Sequence, residues 1–290
     1  MKPAPFRYHD PTSVDEVVGL LGDLEEAKVL AGGQSLMPLM NMRMTAFEDL
    51  IDLGGVHDLA GIDVDEDHVR IAAMTRQRTC ERSTEIEQAV PILAEALGHV
   101  GHLQTRNRGT IGGSLAHLDP TAELVGVASV LDAQLHIRGP QGERTAAFRD
   151  FPQMSFVPDL EPDELLTSVT FPRWPDGHGY AFEEFAPRHG DFAVVAAAAL
   201  VVLEDDEVAR VALAMMGMTE IGVRVDELER EWTGQAPSEE LFGGVADHVR
   251  GFTATPDIHG PAPYRQHLAG VLAERALRRA CERARSISDA

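Results

Sequence analysis

The sequence predicts an α+β protein with two domains, and three observations support this fold class. The chain has 290 residues, which at about 150 residues per domain allows two domains with substantial cores. It opens with a helical pattern, a short strand and a glycine-rich loop, which is typical of an α/β unit. Toward its end, two long apolar segments flank a polar turn and are followed by helical patterns, which indicates a C-terminal α+β domain.

Helix and strand patterns alternate in the first part of the chain. The apolar residues of segment 14–24 fall on one side of a helix, for which Thr12 or Ser13 is available as N-cap. The segment "AKVL" predicts a buried strand that runs into the glycine pair of "AGGQ". The segments "EDLIDL" and "HVRIAAMT" predict further strands on either side of glycine-containing turns. We place the border between two parts of the N-terminal domain at about residue 57.

The middle of the chain predicts a helix, a second glycine-rich stretch and two strands. Apolar residues at three-four spacing predict one helix from Pro91 through Val100 to Leu103. Strand patterns follow at residues 133–137 and 166–171. The segment "PRWPDGHG" concentrates proline and glycine, so we divide the chain there into domains at residues 1–176 and 177–290. Beyond it, "FAVVAAAALVVL" and "VARVALAMMGM" predict a buried hairpin, and a helix over about residues 264–285 ends the chain.

Charge and composition exclude several classes of protein. The 47 acidic and 25 basic residues give a net charge of −22, which disfavours binding to nucleic acid or to anionic lipid. The longest apolar run, residues 192–203, is shorter than the roughly 20 residues that span a bilayer, and the first residues lack a signal-peptide pattern. We therefore expect a cytoplasmic protein. Its two cysteines, Cys80 and Cys281, cannot supply the ligands of an iron–sulfur cluster.

Two glycine-rich loops predict a site for a phosphate or pyrophosphate. Gly32 and Gly33 allow positive φ and close approach of a ligand to the backbone, so that consecutive amides can converge on an anion. The second loop carries Gly112 and Gly113 between the hydroxyl groups of Thr110 and Ser114, which suggests that a ligand is held from two sides. Neither loop has the Walker pattern or a GxGxxG sequence that opens a helix, so ATP and a Rossmann-bound dinucleotide are disfavoured.

The two loops resemble the flavin motifs of a known family, the FAD-binding medium subunits of the molybdenum hydroxylases, which include xanthine dehydrogenase and carbon monoxide dehydrogenase. "AGGQSLMPLM" and "TRNRGTIGGSLAHLDPTAEL" carry the resemblance, and "EPDELLTSVTFP", "RHGDFAVVAAAA" and "YRQHLAGVLAERAL" extend it over nearly the whole chain. The resemblance implies a two-part FAD-binding domain of the PCMH and vanillyl-alcohol oxidase type. A smaller α/β domain of the CO dehydrogenase flavoprotein C-terminal type would follow it.

The resemblance also implies a set of cofactor-binding residues. Glu123 stands where relatives usually have Asp, Ser114 where many have Asn, and Phe192 where some have a tyrosine beside the isoalloxazine ring. Neither loop has a His or Cys for a covalent flavin link, so noncovalent FAD is predicted. The implied contacts are Ala31, Gly32, Gly33, Gln34, Ser35, Leu36, Val100, Thr110, Ile111, Gly112, Gly113, Ser114, Glu123, Leu166 and Phe192.

The function implied by the resemblance is electron transfer within a larger enzyme. A large subunit with a molybdenum–pterin cofactor would oxidise the substrate, and a small subunit with two 2Fe–2S clusters would pass electrons to FAD on this chain. A dimer of heterotrimers is expected. The loop sequences are closer to dehydrogenases of aromatic N-heterocycles than to carbon monoxide dehydrogenase. The alternatives are a carbon monoxide dehydrogenase subunit, a stand-alone oxidase of the vanillyl-alcohol type, and an assembly scaffold without flavin.

Three further patterns have both a functional and a structural interpretation. His99 and His102, three apart on the predicted helix, suggest a metal pair, but without a third ligand a polar helix edge is favoured and no metal site is predicted. Arg106 and Arg108 are candidates to neutralise a pyrophosphate or to lie on a solvated loop. Valine at Gly33 or Gly112 is predicted to block flavin binding and to leave the apoprotein intact.

Overall fold

The computed structural model describes residues 2–219 and 221–288, which form three larger β-sheets, a two-stranded hairpin and their flanking helices. The first sheet is parallel, with the order β1-β3-β2, and it belongs to the first part of the N-terminal domain. Its elements are β1 (Arg7–His9), α1 (Val14–Asp23), β2 (Ala27–Leu30), α2 (Leu36–Asn41) and β3 (Asp49–Asp52).

The predicted alternation of helix and strand is confirmed in this first sheet. Helix α1 begins after Ser13, whose hydroxyl accepts the amide N–H of Glu16. Its buried face, with Val17 and Leu21, packs against Ile51 of β3. Strand β2 is an edge strand, so its side chains are half-buried rather than buried. The first glycine loop joins β2 to α2 and therefore lies at the carboxyl end of a parallel strand, where ligands of α/β sheets bind.

The second sheet is antiparallel, with the order β4-β5-β10-β6-β7, and six short helices lie between β5 and β6 along the chain. A small hairpin of β8 and β9 lies apart from it. The strands are β4 (Ile62–Val64), β5 (His68–Ala72), β6 (Gln134–Gly139), β7 (Gly142–Ala147), β8 (Pro152–Met154), β9 (Val157–Pro158) and β10 (Leu165–Pro172). The helices are α3 (Gln77–Glu81), α4 (Thr84–Ala89), α5 (Pro91–Leu97), α6 (Leu103–Arg108), α7 (Ile111–His117) and α8 (Glu123–Val130).

The single helix predicted over residues 91–103 is wrong, because the chain leaves the helical path after Leu97. Gly98 caps α5, Gly101 has a positive φ of 46°, and α6 starts afresh after His102. The apolar spacing of the segment continues across the break, so periodicity alone did not detect it. His99 and His102 therefore lie in an irregular segment and do not share a helix face.

The third sheet is the centre of the C-terminal domain and is buried on both faces. Its strands are β11 (Gly179–Phe185), β12 (Val195–Glu204), β13 (Glu207–Met216) and β14 (Val223–Arg224), and its helices are α9 (Asp226–Trp232), α10 (Glu239–Arg250) and α11 (Ala262–Ser288). The predicted hairpin of β12 and β13 turns at Asp205 and Asp206, both with positive φ. Residues such as Ala198 and Ala214 face the N-terminal core. The residues that alternate with them along each strand, such as Ala197 and Leu213, face α10 and α11.

The two-domain α+β architecture predicted from the sequence is confirmed. The segment between β10 and β11 holds the proline-rich and glycine-rich residues where we place the domain border. Arg283 of α11 crosses this border and binds Glu95 of α5 and the carbonyl oxygen of Tyr180. Within the described residues, every helix is too short or too polar to cross a membrane.

Candidate functional site

The first glycine loop presents a row of free backbone amides. Gly33 has a φ of +72°, and Ser35 returns to the right-handed helical region, which turns successive N–H groups toward one side. In the part of the chain that the structure describes, the amides of residues 33–36 donate to no protein acceptor. The carbonyl oxygens of Gly33 and Ser35 do accept bonds, from Met37 and Leu39 of α2. The loop is therefore a concave set of donors that suits an anion.

Gly32 is required for a different reason, which is contact between the two glycine loops. A Cβ on Gly32 would lie 2.3 Å from the carbonyl oxygen of Arg108 and 2.8 Å from the Cα of Gly109. A Cβ on Gly113 would lie 3.3 Å from the Cβ of Ala31. The two loops therefore touch and form one continuous surface.

The second loop uses its amides inside the protein. The N–H groups of Ile111 and Gly112 donate to the carbonyl oxygens of Thr75 and Ala73, at 3.1 and 2.9 Å. Thr110 caps α7, because its hydroxyl accepts the Gly113 amide at 3.0 Å and its carbonyl accepts that of Ser114. The amides of residues 111–114 are therefore all bonded within the protein. What the loop offers to a ligand is the side chains of Thr110 and Ser114.

Two arginines beside the loops, Arg76 and Arg108, form no ion pair within the part of the chain that the structure describes. Arg76 was not among the residues predicted from the sequence. The guanidinium of Arg76 donates to the carbonyl oxygen of Arg108 at 2.5 Å. The backbone of Arg76 also forms an isolated antiparallel β-bridge with that of Thr110. Among the described residues, neither Arg76 nor Arg108 forms an ion pair. Partial burial lowers the pKa of Arg76 and the nearby charge of Arg108 lowers it further, while the charge of Asp52 acts in the opposite direction without outweighing them. Two adjacent cations without a partner favour a polyanionic ligand, and Arg76 was missed because it lies outside both glycine motifs.

Arg106 instead holds the irregular segment between α5 and α6. Its guanidinium binds both carboxylate oxygens of Glu81, at 2.8 and 3.1 Å. It also donates to the carbonyl oxygens of Val100 and Gly101, at 2.8 and 3.1 Å. The residue is only 8% exposed. Of the two arginines proposed for pyrophosphate binding, only Arg108 has a free guanidinium.

A cleft of about 420 Å³ opens beside Arg76. It lies between the segment that follows β3 and the segment that follows β5. Its lining is mostly apolar, with the cation at one side. The lining includes Leu53, Val56, Ile62, Met74, Thr75 and Arg76.

Two of the remaining predicted residues, Val100 and Phe192, lie beside the junction of the domains. The turn that precedes Phe192 packs there, since a Cβ on Gly190 would lie 2.5 Å from the His102 ring. His99 also contacts Phe182 of β11, with ring centroids 5.4 Å apart. Phe192 itself is 69% exposed, an unusual state for a phenyl ring. Val100 is half-buried in the same segment as His99 and His102.

Glu123 and Leu166 are both buried, in different surroundings. Glu123 opens α8 and is 8% exposed. Burial raises the pKa of Glu123 to about 8, and the nearby Glu184 and Asp119 act in the same direction. Leu166 is 4% exposed within the N-terminal core, on β10 next to an irregularity in its pairing with β6. The structure therefore brings Glu123 to the domain junction and leaves Leu166 inside the core.

Replacing Arg106 by Met is expected to destabilise the protein by about 2–4 kcal/mol, because the substitution leaves Glu81 with one partner in a largely buried place. Urea unfolding measures the effect. Arg78→Met is the control, since Arg78 forms only a partly exposed pair with Glu81 at 2.9 Å and should cost less than about 1 kcal/mol. Equal losses in the two variants would contradict the role assigned to Arg106.

The effect should also depend on pH. Burial alone would raise the pKa of Glu81, but Arg106 and Arg78 outweigh it and hold this pKa below its usual value. A carboxyl group with a lowered pKa stabilises the fold above its unfolded pKa and loses that contribution as the pH falls. The difference between the wild type and Arg106→Met should therefore shrink in acid.

The fold and the two loops are those of a protein that binds a nucleotide cofactor, and comparison with known families identifies the cofactor. Residues 4–174 match the family described as "FAD binding domain in molybdopterin dehydrogenase". Residues 180–280 match the "CO dehydrogenase flavoprotein C-terminal domain". The chain belongs to this family of molybdenum-dependent dehydrogenase flavoproteins, and FAD is the cofactor of its N-terminal domain. The resemblance inferred from the glycine motifs is confirmed.

Individual relatives cover nearly the whole chain. The alpha subunit of the 6-hydroxypseudooxynicotine dehydrogenase complex of Paenarthrobacter nicotinovorans is 38% identical, over 98% of this chain and 97% of its own. A carbon monoxide dehydrogenase structure from Hydrogenophaga pseudoflava has a TM-score of 0.95 at 33% identity, covering 98% of this chain and 99% of its own. Quinoline 2-oxidoreductase from Pseudomonas putida 86 has a TM-score of 0.94 at 32% identity, with the same coverage.

Proposed function

We propose that this chain is the FAD-carrying electron-transfer subunit of a three-subunit molybdenum hydroxylase. It would take electrons from the two 2Fe–2S clusters of a small subunit and pass them to an external acceptor. A large subunit with a molybdenum–pterin cofactor would oxidise the substrate. The observation that carries the proposal is the row of free amides at residues 33–36, beside two unpaired arginines, in a chain of this family.

The residues of the two loops fit the pyrophosphate of FAD. The amides of residues 33–36 would bind its oxygens directly, and the hydroxyl groups of Ser35, Thr110 and Ser114 are placed to add side-chain donors. Arg76 and Arg108 would balance its charge. No carboxylate belongs to either loop. Ala31, Gly32, Gly112 and Gly113 would act through close packing that keeps the loops together, and Gln34 and Leu36 would complete the walls. Ile111 and Leu166 are buried and would support the site from within the N-terminal core.

The ring system of FAD would lie toward the domain junction, where Val100, Glu123 and Phe192 are found. When bound, FAD supplies electron transfer in single or paired steps, and the protein supplies binding and orientation. Phe192 presents an exposed ring face, which is suited to stacking. We assign no catalytic acid or base to this chain, because the chemistry on the organic substrate belongs to the large subunit.

The partner face would include Phe192 and the turn before it. This turn carries Arg188 and Asp191, which bind each other at 3.0 Å on the surface. An exposed ring within a polar turn is typical of an interface that is partly polar. Such a face would bring a cluster of the small subunit close to the ring system of FAD. We further propose a dimer of heterotrimers in the cytoplasm.

The substrate class that we favour is an aromatic N-heterocycle. The loop sequences and the relatives that act on a pyridine derivative or on quinoline support this choice. Carbon monoxide is the second candidate, because a carbon monoxide dehydrogenase chain matches with an equal share of coverage. The substrate would bind on the large subunit, so the choice rests on relatives and not on residues of this site.

Purification from the native host tests the proposal. We expect the chain to elute with two further subunits, one containing molybdenum and the other containing iron, and acid precipitation should release all the flavin as FAD. Flavin that stays with the pellet would contradict noncovalent binding. Recovery of a single-chain oxidase active on alcohols or amines would support the vanillyl-alcohol alternative, and a colourless chain in the complex would support the scaffold alternative.

A further inference from the structure

Two glutamates, Glu123 of α8 and Glu184 of β11, lie near each other at the domain junction. Strand pairing aligns Glu184 of β11 with Ala196 of β12, and Ala196 with Met216 of β13. Directly opposed residues of antiparallel strands point to the same face of a sheet. A Cβ on Gly126 of α8 would lie 2.2 Å from the Met216 sulfur, so this face packs against α8. Glu123 lies one helical turn before Gly126, and Glu184 therefore points toward the first turn of α8.

Neither carboxyl group has a counterion. Glu123 is 8% exposed, and the Oε2 atom of Glu184 is buried without a hydrogen-bond partner. In the described part of the chain, neither residue takes part in an ion pair. The charged groups that act on Glu123 are Glu184, Asp119 and, in the opposite direction, Arg106. Arg106 is already bound to Glu81.

Such a pair cannot remain fully ionised near neutral pH. Two buried carboxylates without a cation repel each other and lose their hydration, so at least one of them keeps its proton. Burial raises the pKa of Glu184 to about 7, and that of Glu123 lies at about 8. A protonated carboxyl group differs from a carboxylate in having an O–H that can donate a hydrogen bond.

We propose that Glu123 and Glu184 form a protonated carboxyl pair that donates hydrogen bonds to the ring system of FAD at the domain junction. This inference rests on the proposed function, since it assigns the polar contacts of the same cofactor. The ring system has carbonyl oxygens and ring nitrogens along its edges, and these atoms accept hydrogen bonds. The unpartnered Oε2 of Glu184 has the chemistry that such an edge requires. Glu184 thereby becomes a cofactor-positioning residue contributed by the C-terminal domain.

The pair makes FAD affinity depend on pH in a defined direction. Deprotonation removes the donors and places charge in a buried junction, so affinity should fall as the pH rises. For the isolated chain, we expect the Kd for FAD to increase at least about tenfold between pH 6 and pH 9, as loss of a single proton at such pKa values would produce. Quenching of flavin fluorescence upon binding measures the Kd.

Matched variants separate this role from simple packing. Glu184→Gln keeps an N–H donor and does not titrate, so its Kd should stay near the wild-type value at pH 6 and change much less by pH 9. Glu184→Leu removes the donor and should weaken binding at every pH. Glu207→Gln, an exposed glutamate at the other end of the same sheet, should reproduce the wild-type profile. A pH profile of Glu184→Gln identical to that of the wild type would overturn the proposal.

Urea unfolding without FAD provides a second readout. A carboxyl group with a raised pKa in the folded state favours folding least at high pH, so stability contributed by the pair is lost as the pH rises from about 4.5 to about 8. Relative to the wild type, Glu184→Gln should therefore gain in unfolding midpoint over this range. Failure of the wild type to bind FAD at any pH would reject the proposed function alone. A difference in urea midpoint between Glu184→Gln and the wild type that stayed the same at every pH would reject the carboxyl pair.

Discussion

Replacing Gly112 by Ala is expected to destabilise the folded protein by roughly 3 kcal/mol or more, even in the absence of FAD. Gly112 is buried, and a Cβ on it would lie 2.4 Å from the Cβ of Ala73 and 2.7 Å from its Cα. The Gly112 amide also donates to the Ala73 carbonyl oxygen at 2.9 Å, so α7 cannot move away without losing this bond. Urea unfolding of the apoprotein and the yield of soluble protein measure the effect.

A control for this substitution is available in α1. Gly19 lies within that helix, and nothing lies within 4 Å of the position of its Cβ. Gly19→Ala should leave stability unchanged or raise it by up to about 1 kcal/mol, because alanine is the better helix former. If Gly112→Ala unfolded at the wild-type urea concentration and lost only FAD, the contact between α7 and β5 would not have the importance assigned to it.

This expectation replaces the one drawn from the sequence, in which Gly112 serves the phosphate alone. A glycine in such a loop indicates close approach of some group to the backbone, but the loop sequence does not identify that group. For Gly112 the group is the end of strand β5, and for Gly32 it is the second loop. Both are contacts between segments distant in the sequence, which residue spacing does not report.

The parts of the fold that the sequence predicted well depend on local patterns. Helix α1 has an apolar face and a serine cap, and the hairpin of β12 and β13 has long apolar strands around a turn of two aspartates. These features are determined by neighbours in the chain. The break between α5 and α6 was not predicted, because the bonds from Arg106 to the carbonyl oxygens of Val100 and Gly101 stabilise it from outside the segment.

In the candidate site, too, the locally determined features were predicted and those that depend on distant contacts were not. The free amides of residues 33–36 follow from a local Gly-Gly turn at the end of a strand, and the sequence indicated them. Arg76 reaches the site through the pairing of its segment with Thr110, and Glu184 reaches the junction through strand register. Neither residue belongs to a motif. Their positions depend on how β5 and the third sheet pack, which involves segments distant in the sequence.

Gly32→Ala is expected to weaken FAD binding by about 100-fold or more, which corresponds to about 3 kcal/mol. Its Cβ would lie 2.3 Å from the Arg108 carbonyl oxygen, whereas ordinary contact begins near 3.4 Å, so the loops must separate by about 1 Å. Their separation would move Arg108, and Arg76 with it, away from the row of amides. A titration of the apoprotein with FAD, followed by fluorescence, measures the loss.

Two other glycines separate loop contact from backbone strain. Gly33 has a φ of +72°, and a Cβ on it would meet only flexible side chains at 3.2 and 3.3 Å. Gly234 has a φ of +81° with nothing within 4 Å of its Cβ position. Alanine at Gly234 should therefore cost about 1–2 kcal/mol of stability through strain and leave FAD affinity unchanged. Gly33→Ala should cost similar stability and weaken binding less than Gly32→Ala does. If Gly33→Ala weakened binding more, the free amides would depend on the turn at Gly33 and not on contact between the loops.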